Sequence, residues 1–323
     1  MIKLFCKNYP ISDNKGTALV ITLLIIATLT GLTVAFSEDS GTELSLAGYS
    51  RDGYRAYQIA RSGVDLALAL LNEDEDRDMD SLTEDWAQFD ADSFPEKLPA
   101  EISLSARITD ENSKININSL KKGNGEIDEN KAEQLSRLFS VLGLRENRVN
   151  PILDWLDSDD IERIDGAESY YYKGLDPPYE CFNGSFLTVG QVFMVKGIEN
   201  IRYFGEKGER SLLDFLTIYS TGQVNINTAS IEVLQSLDEA IDASVAQSII
   251  DYRGEESFSS IDDLGNVATI DSELLNRIRQ RITVKSSHFT IEMKVSCQEA
   301  VAHLRAVVVR NGDKTELVYW QVI

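Results

Sequence analysis

The sequence predicts an α+β protein: an N-terminal transmembrane helix that runs on as a packed spine, an antiparallel sheet laid against it, and a large helical insertion that interrupts the sheet. Three observations predict it. Residues 17–36 run for 20 positions without a charge. Residues 101–109 alternate apolar and polar, and comparable alternation returns only from residue 282 onward. Between these lie two related blocks, Ile115-Asn116-Ile117-Asn118-Ser119 and Val224-Asn225-Ile226-Asn227-Thr228, each followed by helical patterning.

Length and charge bound the answer first. The chain has 323 residues, 43% hydrophobic and 26% charged, which is globular composition with enough length for two or three cores. Its 53 acidic residues against 31 basic give a formal charge of −22. That charge repels polyanions and excludes nucleic acid as a partner, while it suits an exported compartment and divalent cations.

The helix comes first in the chain. At 1.5 Å per residue, Thr17 to Phe36 spans about 30 Å, the thickness of a bilayer's hydrocarbon core. Lys3, Lys7 and Lys15 precede it with only Asp13 opposing, and Glu38, Asp39 and Glu43 follow. The positive-inside rule therefore puts the N-terminus in the cytoplasm and everything after Phe36 outside. A cleavable secretory signal has a shorter apolar core and a small-x-small site after it, which is missing before Ser37. Instead Lys15-Gly16 abuts Thr17, so a short basic leader ends in glycine on the cytoplasmic side of the span. This resembles the type IV prepilin signal. The resemblance implies cleavage between Gly16 and Thr17 by a membrane prepilin peptidase, with N-methylation of Thr17. Loss of three lysines and one aspartate takes the side-chain charge from −22 to −24. Two positions depart from the family: Thr17 stands where most pilins have Phe or Met, and Ile21 where most have Glu. That glutamate normally pairs with a neighbour's N-terminal amine in the filament, so a subunit without it suits a filament end.

Beyond the membrane, Leu44, Tyr54, Tyr57, Ile59, Val64, Leu66, Leu68, Leu70 and Leu71 recur at loosely helical spacing before the acidic run from Glu73 to Asp80. Gly41, Gly48 and Gly53 predict a kink or fray over 41–53, since each costs about 1 kcal/mol relative to alanine.

Ile102, Leu104, Ala106 and Ile108 form one face of the early strand. The late strands are Ile282–Val284, Phe289–Ser296, His303–Arg310 and Glu316–Val322, with Asn311-Gly312-Asp313 as a hairpin turn. A lone strand leaves its backbone groups unpaired, so early and late strands belong to one sheet packed on the helix. The organisation read from sequence is a leader at 1–16, a membrane helix at 17–36, the spine and first strand at 37–111, helical repeats at 112–222 and 223–282, and the closing strands at 283–323.

The repeats match in three blocks. After the Asn-Ile-Asn openings, Ile152-Leu153-Asp154-Trp155 parallels Ile249-Ile250-Asp251-Tyr252, and Phe186-Leu187-Thr188-Val189 parallels Phe258-Ser259-Ser260-Ile261. The second copy resembles the helix-hairpin-helix, or SAM-like, class. Where DNA-binding members have a glycine-rich hairpin, this chain has Asp238-Glu239-Ala240-Ile241-Asp242, whose three carboxylates repel phosphate. The module reads as a packing or partner-binding unit.

Within the first copy lies the densest carboxylate group: Asp154, Asp157, Asp159, Asp160, Glu162, Asp165 and Glu168, with Gly166 for a sharp turn. The set fits a solvated loop, and equally a calcium ion, which takes 6 to 8 oxygens and would offset the repulsion. The register is not that of an EF-hand. Cys6, Cys181 and Cys297 show no zinc spacing, and Cys181 and Cys297, with 115 residues between them, are read either as one bridge or as two buried thiols. His288 and His303 fall in predicted strands, no catalytic motif is present, and the chain is read as a non-enzyme.

The run Ile152 to Asp157 with Asp159-Asp160, then Gly166-Ala167-Glu168, Tyr170-Tyr171-Tyr172, Pro177-Pro178-Tyr179, Asn183 and Val195-Lys196-Gly197-Ile198, resembles the K-type minor pseudopilins of the type II secretion system. That resemblance implies a single-pass inner-membrane subunit at the tip of a periplasmic pseudopilus. It would join other minor pseudopilins, initiate the filament and link it to the secretin and its secreted substrates. It also implies calcium in the helical insertion, for which Asp157, Asp159, Asp160, Asp165 and Glu168 are the candidate ligands. A minor pilin of a type IV pilus shares the leader and sheet but not the duplicated insertion. A signal-anchored periplasmic adaptor shares only the anchor.

Overall fold

One helix, α1 (Lys15–Glu73), runs unbroken for 59 residues, about 88 Å. The coordinates are a computed structural model and describe residues 15–323 apart from 75, 95–97, 199–201, 206–207 and 313. The leader's Lys3, Lys7 and Asp13, and Asp313 of the C-terminal turn, lie outside the described residues. Over its N-terminal apolar stretch α1 is exposed on all sides, and it is long and apolar enough to cross a membrane. The fraying expected over 41–53 does not occur: those residues are helical throughout. The glycines there are spaced apart rather than contiguous, and the helix is anchored farther on by packing.

That packing is made by a stripe at helical spacing, Ala56, Ala60, Val64, Ala67 and Leu71, all buried. It lies on a four-stranded antiparallel sheet built from β1 (Ile102–Asp110) and the last three strands of the chain, in the order β1-β8-β9-β10. These are β8 (His288–Cys297), β9 (Ala300–Asn311) and β10 (Lys314–Val322). Register opposes Ile108 to Ile291 and Ile291 to Ala306, so β1, β8 and β9 turn their apolar alternates toward α1. Helix and sheet approach closely at Gly63, where a Cβ would lie 2.2 Å from Met293 Cε and 2.9 Å from Phe94 Cζ. Trp86 closes one end of this core, edge-on to Phe289 at 5.1 Å.

The insertion occupies the chain between β1 and β8. Its elements are β2 (Ile115–Asn116), α2 (Glu129–Val141), α3 (Val149–Leu156), α4 (Ser169–Lys173), β3 (Arg202–Gly205), β4 (Gly208–Ser211) and β5 (Leu216–Thr217). There follow β6 (Val224–Asn225), α5 (Ile231–Ser236), α6 (Ala243–Glu255), α7 (Ser272–Ile278) and β7 (Ile282–Thr283). The sequence assigns the 282–284 segment to the sheet, but the segment does not join it. It pairs in parallel with β6, Val224 opposite Ile282, while β2 pairs in parallel with β5, Ile115 opposite Leu216. So short a run carries too little alternation to identify its partner, and here the partner opens the same half. The β3-β4 hairpin was not foreseen.

Two hydrophobic cores result, one inside the insertion and one between helix and sheet. Cys181 belongs to the first and Cys297 to the second; both are buried free thiols, which decides between the two readings of the cysteines.

Where the insertion meets the sheet, polar groups are buried together. Asp110 accepts from Ser286 Oγ at 2.6 Å, Thr228 Oγ1 at 2.5 Å and the Asn112 amide at 2.7 Å. Asp80 accepts from the Ser286 amide at 2.7 Å and from Arg310 at 2.8 Å. Beside them Glu111 takes bonds from Thr217, Thr290 and Lys114. The bonds of Asp110 to Asn112, Thr228 and Ser286, of Asp80 to the Ser286 amide and of Glu111 to Thr290 cross between the insertion and the sheet or its linker, so the network fixes the insertion on the spine.

Candidate functional site

The acidic loop is built from α3. That helix has seven buried residues and ends with Asp154-Trp155-Leu156, so its last turn faces the insertion core. Trp155 stacks on Phe186 at 5.9 Å and meets Tyr172 edge-on at 5.3 Å. Asp154 and Asp157, three apart at the helix end, share a face. The chain then loops out and returns through Ala167 and Glu168 into α4.

Asp154, wholly buried, organises the return. Its Oδ2 accepts from the Ala167 amide at 2.8 Å and the Arg163 amide at 3.2 Å. Gly166 makes this possible: a Cβ there would fall 1.9 Å from Asp154 Oδ2, so a backbone without a side chain is required. Lys196 fastens the loop from outside, donating to the Gly166 carbonyl at 2.7 Å with its ammonium 4.9 Å from the centre of the Tyr171 ring.

Oxygens of Asp154, Asp157 and Glu168 lie within 4.8 Å of one another, and the three residues are 0%, 7% and 4% exposed. Arg163 supplies the positive charge, its Nη1 bonding Asp154 Oδ1 at 2.7 Å and Asp157 Oδ2 at 2.5 Å. Both oxygens of Glu168 and Oδ1 of Asp157 have no hydrogen-bond partner. Burial, reinforced by Asp154, Asp157, Asp160 and Asp159, pushes the Glu168 carboxyl up to about 7. Burial also raises that of Asp157. Three buried carboxylates, two of them held by one guanidinium and three of their oxygens unbonded, form a donor set suited to a hard cation.

Of the five candidate ligands, Asp157 and Glu168 are brought together. Asp159, Asp160 and Asp165 are exposed and order the loop instead. Asp159 caps the Ile161 amide at 2.9 Å, Asp160 accepts from Ser169 Oγ at 3.0 Å, and Asp165, at φ 60°, accepts from Asn147 at 2.9 Å. The third converging carboxylate is Asp154, whose place one helical turn before Asp157 was the available signal. Gly16 and Thr17 stand exposed at the start of α1.

The second half of the insertion has the same local design without the acidic loop. Tyr252 stacks on Phe258 at 5.0 Å as Trp155 does on Phe186. Boxes at Thr188-Gln191 and Ser260-Asp263 cap the next turns alike. Where a phosphate could approach α6, Asp242 already accepts from the Ser244 and Val245 amides, both at 2.9 Å.

Comparison with known proteins places these features together. Two family models, both described as type II secretion system (T2SS), protein K, match residues 113–203 and 224–285. The chain is 30% identical over 263 residues to type II secretion system protein K of Pseudomonas aeruginosa, covering 77% of this chain and 75% of that one. It is 22% identical to the protein of that name from Pectobacterium carotovorum subsp. carotovorum over 96% of this chain and 97% of the other. Its fold matches a chain of the crystal structure of the GspK-GspI-GspJ complex of the type 2 secretion system from enterotoxigenic Escherichia coli. The TM-score is 0.68 at 17% identity, over 85% of this chain and 98% of that one.

Proposed function

The chain belongs to the protein K family of the type II secretion system, and from that membership we propose that it is a minor pseudopilin that sits at the tip of the pseudopilus, starts its assembly and helps export folded proteins. One observation carries the reading. The same helix is apolar and bare of protein contact over residues 17–36 and packed on the sheet from Ala56 to Leu71, so a single rod has a membrane end and a protein end. Side by side, such rods form a filament whose core is apolar. Ile21 carries no charge to pair within that core, which suits the last subunit added at an end. The partners are other minor pseudopilins, in keeping with the complex that the structural neighbour forms. The helix spans the inner membrane with its N-terminus cytoplasmic and the rest periplasmic, prepilin peptidase cuts between Gly16 and Thr17, and Thr17 is then N-methylated.

Calcium belongs to the same reading. Asp157 and Glu168, with Asp154 behind them, would hold the ion, and it would supply the positive charge that their unbonded oxygens lack, ordering the loop.

The test is intact mass and N-terminal sequencing of the membrane protein from cells with and without prepilin peptidase. A peptidase-dependent start at Thr17, and an unprocessed, secretion-defective precursor when Gly16 is replaced, are expected. A chain beginning at Met1 in both strains overturns the reading.

A further inference from the structure

Arg163 is oriented against the habit of its sequence neighbours. In Ile161-Glu162-Arg163-Ile164 the guanidinium turns inward to two buried carboxylates, while Ile161 and Ile164 stand 75% and 85% exposed. We infer that the Arg163 guanidinium is a built-in counter-cation that holds the place of calcium between Asp154 and Asp157 and swings out when the ion enters. The inference rests on the calcium reading above and adds a regulation to it.

Three features carry it. First, one nitrogen bonds both Asp154 Oδ1 and Asp157 Oδ2, so the guanidinium sits between two of the three carboxylates that converge. Two positive charges in that space repel, so occupancy by one excludes the other. Second, the arginine satisfies the cluster only in part: both Glu168 oxygens and Asp157 Oδ1 stay unbonded, which leaves a multidentate ion something to gain. Third, departure is easy. The Arg163 side chain is 32% exposed, and the exposed isoleucines on either side bury nothing that would hold the segment down. The backbone has its own fastenings, since Asn150 bonds the Ile164 carbonyl at 2.8 Å, Asn147 bonds Asp165 at 2.9 Å and the Ala167 amide bonds Asp154 at 2.8 Å. The exchange is therefore a side-chain swing. Without metal the arginine keeps the loop folded, and with metal the guanidinium is released to the surface.

Calcium chloride titrated calorimetrically into the full chain in detergent, stripped with chelator, tests this in the wild type, Arg163→Gln and Arg163→Lys. Removing a group that holds the site roughly nine-tenths of the time tightens apparent binding about tenfold, so Arg163→Gln should bind about tenfold more tightly. Arg163→Lys, which keeps the charge and the fold but loses the planar fork, should fall between. Metal-free Arg163→Gln should also melt lower than the wild type and recover when calcium is added. Calcium binding by the wild type that both variants leave unchanged or weaken overturns the counter-cation and spares the calcium reading. No calcium binding by any of the three overturns both.

Discussion

Asn227 and Phe258 exchange two hydrogen bonds, the side-chain Nδ2 donating to the Phe258 carbonyl and the Phe258 amide donating to Oδ1, both at 2.9 Å. Asn118 and Phe186 do the same at 2.9 and 2.7 Å, so each half of the insertion is closed by one asparagine gripping the backbone ahead of its capped turn at Thr188-Gln191 or Ser260-Asp263. Asn227 is 2% exposed, and its truncation leaves a buried amide and carbonyl without partners. Asn227→Ala should destabilise the chain by about 2–4 kcal/mol, read from urea unfolding. A change below about 0.5 kcal/mol would show that water replaces both bonds.

Gly166→Ala should disorder the acidic loop. The new methyl would meet Asp154 Oδ2 at 1.9 Å, and the carboxylate cannot retreat without dropping the Ala167 amide. A loss of about 1–3 kcal/mol is expected, together with loss of stabilisation by calcium in thermal denaturation. Unaltered melting with and without calcium would refute the close approach.

Asp157→Ala and Asp159→Ala distinguish the converging ligands from those that order the loop. Asp157→Ala should abolish the calcium-dependent rise in melting temperature. Asp159→Ala, which removes only an exposed cap on Ile161, should keep it. Equal loss in both variants would return Asp159 to the ligand set.

Stability should rise as pH falls from about 8 to 5.5. Burial pushes Asp110 up to about 7, Glu84 up to about 7 and Asp80 up to about 6, above the 3.8 to 4.5 of the free side chains. In that window the folded chain binds protons that the unfolded chain has released, so their contribution is present at low pH and lost as pH climbs through the folded values. The slope should reverse below about pH 4.5. There Glu111 must take up protons against Lys114 and its hydroxyl partners, which outweigh burial and hold it low, and Asp238 against Arg277. Urea midpoints measured from pH 3.5 to 8 test both limbs; a midpoint that falls steadily from pH 8 to 5.5 contradicts the first.

Neither Cys181 nor Cys297 should react with iodoacetamide in the folded chain, and oxidation should produce no internal bridge between them. They sit in different cores, and burial pushes the Cys181 thiol up to about 11, leaving almost no thiolate at neutral pH. Rapid alkylation without denaturant, followed by mass spectrometry, is the observation that would contradict this.

Much of this was readable in the sequence, for identifiable reasons. The span at 17–36 needs only composition, and the strand at 102–110 alternates cleanly because one of its faces meets α1. The asparagine blocks stood out because their side chains bond the backbone of Phe186 and Phe258, a task that tolerates few replacements. The unread parts depend on distance. Parallel pairing of residues 282–283 with 224–225 is decided by the insertion closing on itself, and no local pattern encodes it. The continuity of α1 through its glycines goes with its anchorage on the sheet from Ala56 to Leu71, which the local sequence around Gly41 and Gly48 does not encode. Asp154 belongs to the carboxylate group in the sequence, but its convergence with Asp157 and Glu168 depends on the loop folding back until Gly166 presses against it, which spacing alone does not encode.

Because Asp110 and Phe289 face each other in register, the insertion leaves and re-enters the sheet at adjoining strand ends, as if a hairpin turn had been enlarged to residues 111–287. An unstructured loop of that size would cost about 3 kcal/mol more to close than a four-residue turn. A folded insertion removes the cost by presenting its two ends side by side. An order of folding follows: the fold of the insertion brings β1 and β8 side by side, and the sheet then zips against the spine. A lesion inside the insertion should therefore surface as a subunit whose membrane helix is inserted but whose sheet never forms.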